Sequence, residues 1–425
     1  MNAAMSSPVH APHGFVVLDN ELQLGGKALS QLAAEVGRTP FYAYDTARIR
    51  ERVAMLRHVL PADIQLHYAL KANPMPELAG FLAGLVAGFD TASGGEMRIA
   101  LGTGMPAQHI SLAGPGKTDA ELRQAIEAGV LVNLESAGEL ERLAALGAAL
   151  GKRPRAAVRI NPDFELKSSG MKMGGGAKPF GVDAEQAPAL LARLAELPVE
   201  FVGFHIFAGS QNLKAESLIE AQHKTLALAR RLAAHAPAPI RLLNLGGGFG
   251  IPYFPGEQPL DVACVAAALE IGLMQARRDF PEAEFVLELG RYLVGEAGVY
   301  VTRVLDRKVS RGQVFLITDG GMNHHLAASG NLGQVLRKNF PVLVGNRVEA
   351  ASPEIATVCG PLCTPLDVLA EKMPLGHAQV GDLIVVLQSG AYGLSASPTV
   401  FLGHPVPVEW LIGEASEIKP RQRVP

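Results

Sequence analysis

A lysine at the end of an apolar segment is the first candidate for a reactive side chain. The sequence HYALKANP, residues 67–74, places Lys71 after a short strand-like run and before a turn. A lysine amine held over an apolar sheet loses part of the hydration that favours its charged form, so it can attack an aldehyde at neutral pH. An ordinary surface lysine is the alternative interpretation of this octapeptide. The rest of the chain has to distinguish the two.

A carboxylate and a glycine run follow two other apolar segments. Glu288 lies in LELGRYLVG, and a buried carboxylate there is costly unless a cation or a protonated ring nitrogen meets it. A structural ion pair with Arg291 is the alternative for both residues. Gly246, Gly247 and Gly248 directly follow a strand-like segment, so their backbone N–H groups can bind a single phosphate. A tight turn without a ligand would give the same glycine run.

Three other motifs do not meet the requirements of the sites they resemble. NLGGGFG lacks the third glycine of a dinucleotide fingerprint because position 251 is Ile251, and SLAGPGKT fails the P-loop pattern because position 111 is Ser111. His324 and His325 are adjacent, so on a strand they would point to opposite faces, and no carboxylate cluster is near them in sequence. We therefore expect no nucleotide fingerprint and no metal.

Length and charge restrict the class of protein. The 425 residues exceed the ~250 to 300 beyond which one hydrophobic core stops growing, so two domains are expected. A net charge of −3 without a long basic run argues against nucleic acid. No segment has the apolar length of a signal peptide or a membrane span, so we expect a cytoplasmic protein. Cys264, Cys359 and Cys363 make a disulfide framework unexpected and leave Cys363 as a candidate reactive thiol.

Strand-like and helix-like segments alternate between residues 64 and 291. The first seven of eight apolar segments are each followed by a helix-period stretch, and two of these open with predicted capping boxes, Thr118 with Glu121 and Ser136 with Glu139. This alternation predicts an α/β fold, a (β/α)8 TIM barrel. The eight segments are IQLHYALK, GFDTAS, HISLAG, LVNLES, RAAVRIN, FVGFHIFAG, IRLLNLGGG and EFVLELGR.

The candidate residues fall at the ends of these segments, where barrel enzymes carry their chemistry. After residue 291 the pattern changes to a period of two, which predicts a C-terminal β-rich domain. The stretch GFVVLDNELQLGGKAL reads as strand and hairpin that pair with it. The predicted limits are 1–37 for the N-terminal segment, 38–290 for the barrel and 291–425 for the β domain. The segment ends carry Lys71, Asp90, Arg159, Ser210, Gly246, Gly247, Gly248, Glu288 and Arg291.

Taken together, the motifs resemble the fold-type III pyridoxal-phosphate decarboxylases, the family of diaminopimelate, arginine and ornithine decarboxylases. The resemblance runs from about residue 38 to 412 in matching order and includes HYALKANP, RINP, LELGR, GPLCTPLD and SGAYG. It implies an alanine racemase-like barrel, pyridoxal 5'-phosphate as cofactor, and a homodimer with shared active sites. It also implies decarboxylation of an amino acid at its α-carboxylate.

The resemblance assigns roles residue by residue. Lys71 would hold the cofactor covalently, Glu288 would meet its ring nitrogen, and Arg159 would lie near the ring hydroxyl. Cys363 matches the cysteine that the family's partner subunit donates across the dimer interface, where it would deliver a proton to the α-carbon. Asp90 would lie near Lys71. The residues implied around the phosphate are Ser210, Gly246, Gly247, Gly248, Arg291 and Tyr392.

The departures from diaminopimelate decarboxylases concern ring stacking and the substrate's distal end. Phe207 of FAGSQ replaces a histidine that stacks on the cofactor ring, which keeps the stacking and loses the polarity. Thr364 of CTPLD stands where those enzymes have a glutamate for the distal amine, and Asp367 ends the same segment. Ala327 and Asn331 stand where an arginine and a tyrosine are expected. These last four residues form the predicted substrate pocket, which no longer suits a distal ammonium.

Several variant motifs resemble a narrower subgroup. KMGGGAKPFG, FAGSQNL, DGGMNHHLAAS and FLGHPVPVE are similar to the butirosin-type decarboxylase, which acts on a glutamyl group on an acyl carrier protein, and to exosortase-associated decarboxylases. The predicted substrate is therefore an L-amino acid or a carrier-bound aminoacyl group. A diaminopimelate decarboxylase, a racemase and a non-enzymatic cofactor carrier are the alternatives. Racemases of this fold place an arginine at the ring nitrogen, so Glu288 favours decarboxylation, and the second domain argues against a carrier.

Overall fold

The computed structural model describes residues 10–166, 170–334, 336–349 and 353–413. The chain divides into two compact units. We call them the barrel unit, Arg52–Ile251 with Pro259–Tyr292, and the β unit, Met1–Glu51 with Pro252–Gln258 and Leu293–Pro425.

The barrel unit contains a closed parallel barrel, which confirms the predicted fold class. All eight predicted segments form strands, each paired with the next, and the eighth strand pairs in parallel with the first. The fourth and fifth strands close the ring through Val132 and Ala156. The strands are Ile64–Ala69, Gly88–Thr91, Ile110–Leu112, Leu131–Leu134, Arg155–Asn161, Glu200–Ile206, Leu242–Gly247 and Glu284–Leu289.

Helices follow the first seven strands, as the sequence pattern predicts. They are Pro76–Ala83, Gly94–Gly102, Asp119–Ala128, Ala137–Ala149, Ala187–Ala195, Ala215–Ala233 and Val262–Asp279; a short helix, Arg291–Val294, follows the eighth strand, and Thr46–Val59 precedes the first. The capping box of Thr118 and Glu121 is formed in both directions. The second predicted box is only half formed. Ser136 caps its helix, but the Glu139 carboxylate accepts a hydrogen bond from the backbone N–H of Glu135.

The barrel interior is apolar where the strands begin and polar where they end. Leu131, Ala157 and Val202 pack together near the strand starts, with the half-buried Leu242 against them. This apolar layer separates the charged side chains at the strand starts from the polar side chains that converge inside the carboxyl-terminal end, where barrel enzymes carry their chemistry.

The β unit is built on an eight-stranded sheet, which confirms the predicted β-rich domain. Its longest strand, Gly298–Ser310, pairs with three others. The strands are Phe41–Asp45, Gly298–Ser310, Gln313–Thr318, Val342–Val344, Glu354–Cys359, Val368–Leu375, Leu383–Val386 and Val408–Ile412.

The residues of the N-terminal segment group with this unit. Three short strands, Val17–Leu18, Glu21–Leu24 and Lys27–Ala28, form a meander that leads into the helix Leu29–Val36. Leu22 is fully buried, and its backbone N–H donates a 2.8 Å hydrogen bond to the Gly345 carbonyl. Leu22, Leu29 and Val385 belong to one apolar cluster.

Residues 38–51 differ from the predicted domain limits. They group with the β unit, although the limits 38–290 placed them with the barrel. The physical reason is the strand Phe41–Asp45, which lies between Gly298–Ser310 and Val408–Ile412 and is buried along its whole length. Among the described helices, none is both long and apolar enough to span a bilayer.

Candidate active site

Lys71 lies just beyond the first barrel strand, on the 3-10 turn Leu70–Ala72. Its Nζ is 3.9 Å from Oε1 of Glu288 and 5.5 Å from the centre of the Phe207 ring. The side chain is 40% exposed, so the desolvation expected for a lysine over an apolar sheet is not observed. The turn carries the amine past the strand end, where it is accessible and still close to a buried anion.

Glu288 is a buried carboxylate held next to a histidine. His205 of the sixth strand places Nε2 3.1 Å from Oε2 of Glu288, and both side chains are less than a tenth exposed. Burial alone would raise the pKa of Glu288, but contact with His205 and the charges of Lys71 and Arg159 lower it to about 2. The carboxylate is therefore ionised throughout the physiological range.

Asp90 of the second strand is engaged by its neighbours on both sides. Its Oδ2 lies 3.3 Å from Nδ1 of His67, and its Oδ1 accepts a 2.5 Å hydrogen bond from the Ser111 hydroxyl. Asn133 of the fourth strand donates to the Ser111 hydroxyl at 3.1 Å. Four strands thus contribute to one buried polar chain, which fixes the orientation of Asp90.

Arg159 of the fifth strand forms a buried ion pair. Its Nη1 donates a 2.8 Å hydrogen bond to Oε1 of Glu135, and its guanidinium lies 5.3 Å from the centre of the Phe180 ring. Burial raises the pKa of Glu135, but the charges of Arg159 and Lys117 more than offset this and leave it below its ordinary value. Arg159 is thus held by an anion that the sequence analysis did not identify.

The glycine run after the seventh strand leaves no room for side chains. Gly246 and Gly248 have φ angles of +70° and +88°, in the left-handed region that favours glycine. A Cβ at Gly247 would lie 2.0 Å from the Glu288 carbonyl oxygen, and one at Gly246 would lie 2.9 Å from Cδ2 of Phe207. The run therefore lets the backbone approach both the eighth strand and the Phe207 ring.

Ser210 and Arg291 lie beside these elements. Ser210 belongs to the short strand Gly209–Ser210 after the sixth barrel strand, and Arg291 begins the helix that follows the eighth strand. The structure therefore brings together in one unit most of the residues predicted to hold a cofactor.

The remaining predicted residues belong to the β unit. Cys363 is exposed, in the segment GPLCTPLD. Thr364 next to it accepts a backbone hydrogen bond from Asp367 at 3.3 Å. The Asp367 carboxylate is buried and accepts N–H hydrogen bonds from Met322 at 2.6 Å and Leu362 at 2.8 Å. Burial raises the pKa of Asp367. Asp367 thus joins the segment that carries Cys363 to the segment GGMN.

Asn331 is held by hydrogen bonds, and Tyr392 has an unusual backbone conformation. The Asn331 amide donates to the Ser329 hydroxyl at 2.8 Å and to the Leu366 carbonyl at 3.4 Å, while Ala327 lies in the turn before it. Tyr392 has a φ of +54°, a conformation that is rare for a bulky side chain and frequent at functional sites.

The adjacent histidines are structural. His325 is fully buried, its Nε2 is 2.9 Å from the Ser389 hydroxyl, and its ring contacts those of Tyr42 and Tyr300. Burial lowers the pKa of His325 to about 3. Within the part of the chain that the structure describes, no group of three or more metal-ligating side chains is present.

Four residues of this site were missed by the sequence analysis, namely His67, Lys117, Glu135 and His205. Each is a buried polar residue within or just after an apolar strand segment. That position is the signal that would have identified them, since a lone polar residue in a buried strand needs a partner. His67, Glu135 and His205 pair with residues of other barrel strands, while Lys117 pairs with Glu139 of the helix Ala137–Ala149, and neither kind of pairing is visible in the sequence.

A cavity of about 690 Å³ opens at the opposite end of the barrel unit, lined by strand-start residues that include Arg155, Arg241 and Glu284. Arg241 is already paired with Glu200 there at 2.6 Å. Because barrel chemistry is found at the other end, we assign this cavity no catalytic role.

Fold and site together define a class. A closed (β/α)8 barrel with an accessible lysine, a buried anion and a glycine run at its strand ends is the arrangement of barrel enzymes that hold a phosphorylated aldehyde cofactor.

Comparison with known proteins identifies the family within that class. The sequence model of the family described as "Pyridoxal-dependent decarboxylase, pyridoxal binding domain" matches residues 46–295. An L-glutamyl-[BtrI acyl-carrier protein] decarboxylase from Niallia circulans is 40% identical over 379 residues, 88% of each chain. A diaminopimelate decarboxylase from Aquifex aeolicus is 35% identical over 385 residues, 89% of this chain and 88% of the relative.

A solved structure agrees with this assignment. Diaminopimelate decarboxylase from M. jannaschii, in complex with L-lysine, superposes with a TM-score of 0.86 at 26% identity and covers 94% of this chain and 93% of that one. The chain belongs to the pyridoxal-dependent decarboxylase family. It is a fold-type III carboxy-lyase that uses pyridoxal phosphate to decarboxylate an amino-acid group, as the motifs predicted.

The residues present fit this cofactor. Among the described residues, no hydrogen-bond donor is aligned on Oε2 of Glu288, so this buried acceptor suits a protonated ring nitrogen. Phe207 offers a ring face near Lys71, and the glycine run exposes backbone where a phosphate can approach.

Proposed function

We propose that the substrate is an aminoacyl group, glutamyl or similar, that is carried on an acyl carrier protein. The observation that carries this proposal is the lack of charge at Thr364, Ala327 and Asn331, the positions assigned by resemblance to the substrate's distal end. The Asn331 amide is already bound to Ser329 and Leu366. A carrier-linked substrate keeps its α-amine and α-carboxylate, while its distal end needs only an open channel.

The name of the Niallia circulans relative supports the proposal, since that enzyme acts on an L-glutamyl carrier protein. The relatives named diaminopimelate decarboxylases support the alternative of a free diamino acid, although at lower identity. The identity difference alone does not decide the substrate, so the distal residues carry the argument.

The residues of the barrel unit have separate proposed tasks. Pyridoxal phosphate, when bound, supplies an electron-withdrawing ring that accepts the electron pair left at the α-carbon as CO2 departs. Glu288 remains negative because its pKa is about 2, and it holds the proton on the ring nitrogen. Lys71 anchors the cofactor, Phe207 stacks on its ring, and Arg159 and Asp90 orient the groups around it.

The phosphate is proposed to lie among Ser210, the glycine run, Arg291 and Tyr392. Cys363 is proposed to deliver the proton that replaces the lost carboxylate at the α-carbon. An exposed thiol meets the first requirement of this task, because it has to reach a substrate that other residues hold.

We propose that the enzyme is a homodimer in which each active site takes Cys363 from the partner subunit. The support is the family resemblance of the GPLCTPLD segment. The predicted substrate pocket of Thr364, Asp367, Ala327 and Asn331 belongs to the same proposal. Cytoplasmic location and an exosortase-associated pathway stay predictions from the sequence.

The substrate proposal is tested by measuring CO2 release. Diaminopimelate, lysine, ornithine, arginine and glutamate are compared with a glutamyl group on a carrier protein or on pantetheine. The tethered substrate should have the highest kcat/KM, because a distal ammonium finds no charged partner at Thr364, Ala327 or Asn331 and loses a pairing worth ~2 to 5 kcal/mol. Efficient turnover of free diaminopimelate with an inert tethered substrate would overturn the proposal.

A further inference from the structure

A network of buried ion pairs and hydrogen bonds holds Arg159. Its members lie mainly on the loops that follow the third, fourth and fifth barrel strands. Its first member is Lys117 of the SLAGPGKT motif, whose side chain is 2% exposed. The Lys117 Nζ donates to the Gly114 carbonyl at 2.6 Å and the Asn133 carbonyl at 2.9 Å, and it pairs with Glu139 at 2.8 Å. The ammonium is thus hydrogen bonded to two backbone carbonyls and faces a carboxylate, so this lysine binds its own loop and no phosphate.

Glu135 is the centre of the network. Its Oε1 accepts hydrogen bonds from the backbone N–H of Gly114 at 2.5 Å and from Arg159 at 2.8 Å. Its Oε2 accepts one from the backbone N–H of Gly181 at 3.0 Å. One buried carboxylate therefore fixes two loops and one guanidinium, and its side chain is only 2% exposed.

Arg159 has two anions within its electrostatic reach. It is hydrogen bonded to Glu135. It also lies opposite His205 in the pairing of the fifth and sixth strands, and the His205 ring is 3.1 Å from Glu288, whose pKa the charge of Arg159 lowers. A guanidinium released from Glu135 would be drawn to the second anion, because an unpaired charge in a buried site is strongly destabilised. Glu288 would then be occupied by an arginine and less available to a ring nitrogen.

We propose that Glu135 is a positioning residue that holds Arg159 beside the cofactor and away from Glu288. The Lys117 and Glu139 pair supports it from behind, since the Glu139 carboxylate accepts the backbone N–H of Glu135 at 2.8 Å. The inference rests on the proposed placement of Arg159 and Glu288 at the cofactor. It is independent of the substrate.

The test measures the affinity of the cofactor-free protein for pyridoxal phosphate by titration of fluorescence and visible absorption. The variants are Glu135→Gln, Arg159→Met and the double variant, with Glu141→Gln as control, because Glu141 forms an exposed ion pair with Arg193 on the same unit. Glu135→Gln should weaken cofactor binding roughly tenfold to a hundredfold, the range for a lost hydrogen bond to a charged group. Glu141→Gln should leave the affinity unchanged.

The double variant separates positioning from general stability. If Glu135 acts through Arg159, the double variant should bind no more weakly than Arg159→Met alone, whereas independent structural damage would add. Additive losses, or wild-type affinity in Glu135→Gln, overturn the proposal. Wild-type affinity in Arg159→Met would instead show that the placement of Arg159 at the cofactor is wrong.

A second variant keeps the test decisive if Glu135→Gln does not fold. Glu135→Asp keeps the buried negative charge, but its shorter side chain cannot reach both the loop amides and Arg159. The Glu135→Asp variant should fold, and it should bind pyridoxal phosphate several-fold more weakly than the wild-type protein does. Tight binding by Glu135→Asp together with weak binding by Arg159→Met would also overturn the proposal.

Discussion

At the scale of single residues, the pKa of Glu288 is lowered by neighbouring groups whose effect outweighs that of its burial. His205, Lys71 and Arg159 come from three different strands or strand ends. Each is close enough to favour the charged carboxylate, yet only His205 lies within 3.5 Å of it. The arrangement keeps the anion ionised without enclosing it in one tight ion pair.

Replacement of Lys71 tests the assignment of the cofactor anchor. The purified protein should absorb visible light through its Lys71-bound cofactor, and borohydride should remove the band. Lys71→Ala should lose the band, because no amine remains at that position to bind the aldehyde. Lys224→Ala is the matched control, since Lys224 forms an exposed helical ion pair with Glu220. A band that persists in Lys71→Ala would disprove the assignment.

The sequence pointed to Lys71 and Glu288 but not to His205 or Glu135. Lys71 and Glu288 were found because each closes an apolar run. His205 and Glu135 were missed because their partners, Glu288 and Arg159, are distant in sequence and meet them only through strand register. A lone histidine in FVGFHIFAG is equally compatible with a structural role, so one sequence could not identify it.

At the scale of elements, the eight strands and seven helices were predictable because local pattern and tertiary position agree. The FYAYD strand was not, since a central strand buried on both faces lacks the alternation that marks most β-domain strands. The predicted contact between the Glu139 carboxylate and the backbone of Ser136 is not formed. The carboxylate instead pairs with Lys117, which lies on the loop after the third barrel strand.

The glycine run gives a prediction for one barrel element. Gly247→Ala should destabilise the protein by ~1 to 3 kcal/mol and weaken cofactor binding, because the new Cβ would lie 2.0 Å from the Glu288 carbonyl oxygen. Gly138→Ala is the control. It lies in the helix Ala137–Ala149 with open space around it, and it should stabilise by ~0.5 to 1 kcal/mol. Denaturant unfolding measures both, and equal effects would contradict the prediction.

At the scale of the whole molecule, buried neutral histidines couple stability to pH. The pKa of His325 is lowered by burial to about 3, so between that value and its ordinary value near 6.5 only the unfolded chain binds the proton. The stabilisation is complete above pH 6.5 and is lost as the pH falls. Protonating this imidazole would place a charge among buried aromatic rings and the Ser389 hydroxyl.

Replacement of His325 should therefore make the free energy of unfolding less dependent on pH in the acid range. The free energy of unfolding should fall with decreasing pH by up to ~1.4 kcal/mol per unit for this one site, and His325→Gln should remove that part of the slope between pH 6 and 4. Denaturant unfolding at several pH values measures the slope, whatever the absolute stability of the variant. An unchanged slope would show that the histidine is not buried neutral.

The proposed shared sites make a prediction about assembly. Lys71→Ala and Cys363→Ala homodimers should each be inactive, while a purified heterodimer of the two should regain one intact site and about half the wild-type activity. Differently tagged subunits allow the heterodimer to be isolated. No recovery in a verified heterodimer would mean that each site uses the cysteine of its own chain.

The strand Phe41–Asp45 has a consequence for how the protein is made. It pairs with Gly298–Ser310 and Val408–Ile412, which follow the entire barrel in the chain. During translation this apolar strand leaves the ribosome before its two partner strands, and it stays unpaired while the barrel is synthesised and folds. The nascent chain therefore exposes an unpaired strand edge for most of translation. During this interval a chaperone would be needed to cover the edge, and aggregation during overexpression would begin at it.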